Sequence, residues 1–271
     1  MASEAILSGS TPDLAETTSP QFSCKRSEYA GLLHLRREHM RKYDVVYVLK
    51  EGADPSELRY SLRSIEKNMT HGDVWFYGGN PKGFVPDHAV RFVQKGFTKW
   101  DKVRSTLMAI CKNDDIPDRF WLFNDDFYIM KRMASTKPYY NKTLKDHYKH
   151  VEEKHGGRTA YSKALRYCEE VLKSKGCDTL DYAIHIPILV EKKKLLETLE
   201  VFPHCPMYRS LYGNYNKLDG VHHADVKISD LDKAADPDTD YLSTSNKSFR
   251  IGKVGEQLRE WFPDPCRYEA E

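Results

Sequence analysis

A run of aromatic and aliphatic residues that stops at adjacent acids, Phe120-Trp-Leu-Phe-Asn124-Asp125-Asp126-Phe127-Tyr128, is the strongest chemical signal in the chain. Two neighbouring carboxylates at the end of a hydrophobic strand repel each other and lose hydration, so they call for a cation. A divalent ion (Mg²⁺ or Mn²⁺) held by one or two carboxylates and a substrate diphosphate meets that need. Asp125 and Asp126 are therefore candidate metal ligands, with Asn124 beside the same ligand. The plainer reading is a pair of acids capping a turn or helix.

Three further groups could act with them. His185, in the apolar run Asp181-Tyr-Ala-Ile-His-Ile-Pro-Ile-Leu189, is suited to taking a proton from an acceptor hydroxyl near neutral pH, or else is a satisfied core histidine. Arg209 follows Pro203 and Pro206 on what reads as a loop, a setting for clamping phosphate. Lys102 and Arg104 are cations suited to binding a diphosphate directly. His222-His223-Ala-Asp225 looks like a metal cluster, but adjacent ligands rarely converge on one ion; an active-site loop is the stronger reading. His147, His150 and His155 read as a solvated helix face.

Positioning such groups requires an α/β scaffold. Residues 43–49, 73–77, 89–93, 119–123 and 181–189 have strand character. Helices are expected over 28–42, 56–68 (with Ser56 as N-cap), 102–111, 191–200 and 255–262. Strand, helix, strand, strand, helix, strand within about 80 residues predicts a doubly wound, Rossmann-like mixed sheet flanked by helices. Residues 1–25 read as a flexible leader, and 26–271 as a single catalytic α/β domain with a helical insertion at about 131–178. Residues 131–175 hold twelve lysines and arginines against five acids, interleaved with Tyr139, Tyr140, Tyr148, Tyr161 and Tyr167. That segment is either a solvated helical hairpin or a platform for a polyanionic acceptor, DNA or an anionic glycan. Residues 230–240 read as an acidic loop.

Bulk properties narrow the classes. The 271 residues are 40% apolar and 30% charged with a net charge of +2, so no whole-protein field marks a nucleic-acid binder. Six cysteines without a C-x-x-C pair suggest neither structural zinc nor a disulfide framework. No apolar run approaches the roughly 18 residues of a membrane span, and no secretory signal is evident, so a cytoplasmic enzyme without a membrane partner is expected. The triplets at Asn68 and Asn141 then carry little weight.

Four blocks resemble the Stealth family, which includes capsular polysaccharide phosphotransferases and the lysosomal-enzyme N-acetylglucosamine-1-phosphotransferase. They are Asp44-Val-Val-Tyr47, the helix Glu57-Leu-Arg-Tyr-Ser-Leu-Arg-Ser-Ile-Glu-Lys-Asn68, the tip at Phe120–Phe127, and His185-Ile-Pro187 with Phe202-Pro203 and Tyr208-Arg209. The resemblance implies a glycosyltransferase-A-like core that uses a nucleotide sugar and a divalent metal. It places Asp126, and with it Asp125, at the metal and diphosphate, makes His185 the catalytic histidine, and puts Arg209 on phosphate. Arg59, Ser61 and Arg63 belong to the motif helix, and the resemblance implies that one or more of them faces the nucleotide. Where the family has an acidic residue about twenty positions before the tip, this chain reads Phe97-Thr-Lys-Trp-Asp-Lys-Val-Arg-Ser105. Transfer of a sugar, from a UDP-sugar to a hydroxyl such as that of a hydroxymethylated DNA base, is therefore expected ahead of transfer of sugar 1-phosphate to a glycan. A non-catalytic nucleic-acid-binding module is the reading from outside the enzyme class.

Overall fold

The structure is a computed structural model that describes residues 42–52, 54–133 and 135–270. The expected leader, Cys24 and residues 28–41 of the expected helix at 28–42 lie outside the described residues. Ten strands and eight helices are named below in chain order.

Five strands form the main sheet: β1 (Asp44–Leu49), β2 (Val74–Gly78), β3 (His88–Arg91), β4 (Arg119–Phe123) and β7 (Ile188–Glu191), in the order β3-β2-β1-β4-β7. The first four are parallel and β7 is antiparallel to β4, which gives the expected mixed sheet. Their sequences are near-continuous hydrophobic runs because helices cover both faces. One face packs α1 (Ser56–Asn68) through Leu58, Leu62 and Ile65, all at most 1% exposed and spaced along one helical stripe. The other face carries α2 (Lys99–Cys111) and α5 (Lys192–Val201), which contribute Leu107, Ile110, Leu195 and Leu199.

The chain leaves β1, builds outward through β2 and β3, then returns by α2 to place β4 on the other side of β1. This reversal opens a crevice at the carboxyl ends of β1 and β4, where open α/β sheets bind ligands.

Beyond the sheet, β5 (Phe127–Ile129) pairs antiparallel with β10 (Tyr241–Thr244), and β10 pairs in parallel with β9 (Lys227–Ile228). A two-stranded ribbon joins β6 (Tyr139–Tyr140) to β8 (Val221–His222). The insertion is a helical hairpin, α3 (Leu144–His155) and α4 (Ala160–Ser174), seated on α6 (Tyr208–Tyr215). Near the end of the described chain lie α7 (Asn246–Ile251) and α8 (Lys253–Trp261).

Several boundaries differ from expectation. β3 spans 88–91, and α2 starts at Lys99 because Thr98 and Asp101 form a capping box. Pro55, with Ser56 the first helical residue, caps α1, and the Ser56 hydroxyl bonds Asp54 instead. Most of the strand expected at 181–189 is irregular, since β7 begins only after Pro187, which cannot donate to a ladder. Residues 229–240 form no helix or strand, as expected for the acidic loop. Among the described residues no helix is long and apolar enough to cross a membrane, and the five described cysteines are free.

Candidate functional site

β4 ends at Phe123 and the chain turns through Asn124, Asp125 and Asp126 before entering β5. What holds this turn is the polar side of α1. Ser61 Oγ donates to Phe127 O (2.5 Å), Ser64 Oγ accepts from Ile129 N (3.0 Å), and Asn68 Nδ2 donates to Ile129 O (2.7 Å). Spaced at i, i+3 and i+7, these side chains act as a substitute strand along β5, satisfying backbone groups that burial would otherwise leave unpaired. Tyr47 of β1 completes the clamp through its hydroxyl to Ser61 Oγ at 2.8 Å. Ser61 was expected near the nucleotide; it is fully buried and holds the acidic turn in place.

The two arginines of the motif helix also have partners within the chain. Arg59 and Arg63 both pair with Glu269, and Arg63 also donates to the carbonyls of Phe262 and Pro263 at 2.8 Å. Burial raises the Glu269 carboxyl, but the Arg63 bond, the Cys266 N–H and the charges of Arg63 and Arg59 together outweigh it and bring the group down to about 2. These arginines fasten the end of the described chain to α1.

Three carboxylates meet at the tip. Asp126, 9% exposed, accepts through Oδ2 from Lys227 Nζ at 2.9 Å and Ser243 Oγ at 3.1 Å. Asp125 is half-buried beside it. Glu57, in the first turn of α1 and 6% exposed, accepts from Thr244 Oγ1 at 2.6 Å, and that hydroxyl lies 3.0 Å from the Tyr128 hydroxyl. Burial pushes the Glu57 carboxyl up to about 7, the Asp126 and Asp125 charges adding to the push and the Thr244 bond opposing it. Burial and the Asp126 charge push Asp125 up to about 6. One lysine therefore faces three acids.

The sign of the resulting pH effect follows directly. A carboxyl raised from 4.5 to about 7 on folding contributes its full stability below pH 4.5 and loses it as pH rises through about 7. Glu57→Gln, which keeps an acceptor for Thr244, should match the wild type near pH 4.5 and exceed its stability by about 2–3 kcal/mol at pH 8. Urea denaturation at the two pH values measures this; a difference independent of pH would contradict it.

The donor set suits a hard cation. Carboxylate oxygens are what Mg²⁺ and Mn²⁺ prefer, and the raised Asp125 carboxyl is the unneutralised acid that such an ion would relieve. No group of three or more His, Cys, Asp or Glu is arranged to ligate a metal among the described residues. The remaining ligands would come from a diphosphate and water.

His185 lies just before β7 in an irregular stretch, and its Nδ1 is 2.9 Å from Asp225 Oδ1. Burial opposes ionisation of Asp225, but the His185 bond and charge, with the backbone N–H groups of Lys227 and His185, together outweigh it and hold the carboxyl below its ordinary range. Phe127, the residue after Asp126, meets the His185 ring edge-on at 6.3 Å. One aromatic ring thus separates the histidine–aspartate pair from the acidic tip. Arg209 was expected on a loop; it occupies the first turn of α6 and is 6% exposed. It donates to Ile186 O at 2.5 Å and Leu122 O at 3.3 Å, with its guanidinium 5.0 Å from the centre of the Phe127 ring. It ties the end of β4 to the His185 segment.

No protein-family model matches the chain, and no curated protein matches it either. The geometry must therefore speak for the site.

A cleft of about 310 Å³ opens at the carboxyl ends of β1 and β2, lined by Lys50, Gly52, Pro55, Asn80, Lys82 and Asp125 among others. Its floor depends on close backbone approach: Gly78 has φ +107°, and a Cβ there would lie 2.3 Å from Leu49 O. Larger hollows of about 580 and 670 Å³ open at the amino ends of the strands, around Asp44 and Pro117, away from the acidic tip. Lys102 and Arg104 do not line the 310 Å³ cleft. Burial lowers the Arg104 pKa, opposed by the charge of Glu200 on α5, against which α2 packs.

The sequence reading named Asp125, Asp126, His185 and Asp225 but missed Glu57, Lys227, Ser243 and Thr244. Glu57 stood inside a recognised motif, where a first-turn acid is ordinarily explained by the helix dipole. The other three lie on short strands with no periodic signal. A single extended segment, residues 221–228, brings His222, His223, Asp225 and Lys227 to this face: His222 packs on Tyr140, and His223 on Tyr139 and Tyr241. In the hairpin, His150 and His155 are exposed as expected, whereas His147 bonds the buried Asp181 at 2.5 Å.

Proposed function

We propose that this chain is a nucleotide-sugar-dependent transferase that uses a Rossmann-like, glycosyltransferase-A-like core to move a sugar from a UDP-sugar to a hydroxyl acceptor. The observation that carries the reading is the His185–Asp225 pair standing one ring away from the Asp125–Asp126 turn, at the crevice of an open α/β sheet. The resemblance of the four sequence blocks to the Stealth family supports it.

In this reading the cleft beside Asp125 seats the nucleotide, with Lys50 and Lys82 on its rim. Asp125 and Asp126 would hold the divalent ion, which when bound neutralises charge on the departing diphosphate. Because His185 Nδ1–H donates to Asp225, its Nε2 is left to accept the proton of the acceptor hydroxyl. Asp225 fixes that tautomer and stabilises the imidazolium that results, a role that needs the carboxylate to stay ionised. Arg209 keeps Phe127 and the His185 segment in register.

Transfer of sugar 1-phosphate is the second reading, favoured by Glu57: the tip holds a third carboxylate even though Lys102 and Arg104 stand near the position where the family has its acid, with Asp101 capping α2. By-products separate the two, since sugar transfer releases UDP and sugar-phosphate transfer releases UMP. For an anionic acceptor, DNA or glycan, the hairpin offers exposed Lys145, Lys149, Arg158 and Lys163. Of its tyrosines Tyr167 is exposed, whereas Tyr148 is buried under Arg166 and Tyr161 packs on His147.

Calorimetry with UDP-sugars, with and without Mn²⁺, tests the proposal. Metal-dependent binding is expected, and Asp126→Asn should abolish it. Absence of nucleotide-sugar binding together with tight, salt-sensitive DNA binding would instead favour a nucleic-acid-binding module.

A further inference from the structure

Lys227 already provides the acidic turn with a cation. Its Nζ lies 2.9 Å from Asp126 Oδ2, the oxygen that also accepts from Ser243. Parallel pairing sets Lys227 opposite Ser243, so ammonium and hydroxyl reach the same carboxylate from neighbouring strands. The two partners are unequally accessible: 12% of the Asp126 side chain is exposed against 28% of that of Lys227. The lysine stands on a two-residue strand at the end of the largely open segment 221–226, and its four-carbon stem is flexible. A divalent ion ligated by Asp126 would compete with the ammonium for one carboxylate, and the two positive charges would repel each other strongly in a site with little water. A diphosphate arriving with the ion offers the ammonium another anionic partner.

We propose that Lys227 is an exchangeable counter-ion: it occupies Asp126 while the site holds no donor and passes to the diphosphate when metal and nucleotide bind together. This rests on the nucleotide-sugar reading above. The exchange makes the two ligands bind cooperatively, each improving the affinity of the other by the same factor. It also keeps the acidic turn neutralised between turnovers.

The test is Mn²⁺ binding to the full chain, with free ion followed by electron paramagnetic resonance, in the presence and absence of UDP. Without UDP, Lys227→Met should bind Mn²⁺ about tenfold more tightly than the wild type, and the enhancement by UDP should shrink towards none. Lys227→Gln carries the same expectation if the methionine variant does not fold. Lys227→Arg, which keeps the charge, should bind Mn²⁺ alone as weakly as the wild type. Unchanged or weaker Mn²⁺ binding by the neutral variants, with the UDP enhancement intact, overturns the proposal. Heats of UDP binding recorded in parallel separate the two levels: UDP binding without Mn²⁺ binding in any variant defeats the counter-ion role and the metal, while loss of both defeats the nucleotide-sugar reading itself.

Discussion

Replacing His185 with alanine is expected to slow transfer by about 10²–10⁴-fold while leaving nucleotide binding unchanged. The side chain touches neither the cleft at the ends of β1 and β2 nor Lys227; its polar contact is Asp225, and its ring rests on the edge of Phe127. Its loss should therefore appear in kcat and not in the affinity for UDP. Asp225→Asn should give a smaller loss of the same kind, because asparagine can still accept from Nδ1–H but cannot stabilise the imidazolium. The double variant should be little worse than His185→Ala alone, as expected of residues acting as one unit. Steady-state rates and UDP calorimetry on the three variants decide the point. A loss below about tenfold in His185→Ala would remove the histidine from the chemistry.

Arg209 should prove nearly as sensitive, for a different reason. Truncation to alanine strands the carbonyls of Ile186 and Leu122 in the interior and leaves the Phe127 ring without its cation. A cost of about 2–4 kcal/mol in stability is expected, along with a fall in rate, since the His185 segment and the end of β4 lose their common tie. Lysine should not restore it: one ammonium cannot reach two carbonyls in the fork geometry of a guanidinium. Were Arg209 instead a surface clamp on phosphate, Arg209→Lys would fold as stably as the wild type and lose only donor affinity. Thermal unfolding and UDP calorimetry on the lysine variant distinguish these outcomes.

The parts of this arrangement legible in the sequence are those written in local pattern. The apolar stripe Leu58, Leu62, Ile65 marks its helix, and the aromatic run ending at Asn124-Asp125-Asp126 marks both a strand and the place where it must stop. The reversal of strand order that puts this tip in a crevice follows from the alternation of elements. Pairings across long separations were not legible. Arg59 and Arg63 offered the same charges to a nucleotide as to Glu269, more than 200 positions away, and only the fold chooses. Arg209 was misplaced because Pro203 and Pro206 were read as loop signals; prolines also precede helix starts, where no backbone donor is needed. His147 was assigned to solvent because helical spacing shows which residues share a face but not that Asp181 lies against one of them.

The distance along the chain between the acids and their partners has a consequence for biosynthesis. Lys227 follows Asp126 by 101 residues, and Thr244 follows Glu57 by 187. A ribosome adding about 5–20 residues per second releases the lysine some 5–20 s after the aspartate it neutralises. Through that interval the three carboxylates lack the ammonium that bonds Asp126, so completing the acidic turn before Lys227 emerges is unfavourable at neutral pH. The crevice is thus a late event in the life of each molecule, closed from the carboxyl-terminal side onto a scaffold that was made first.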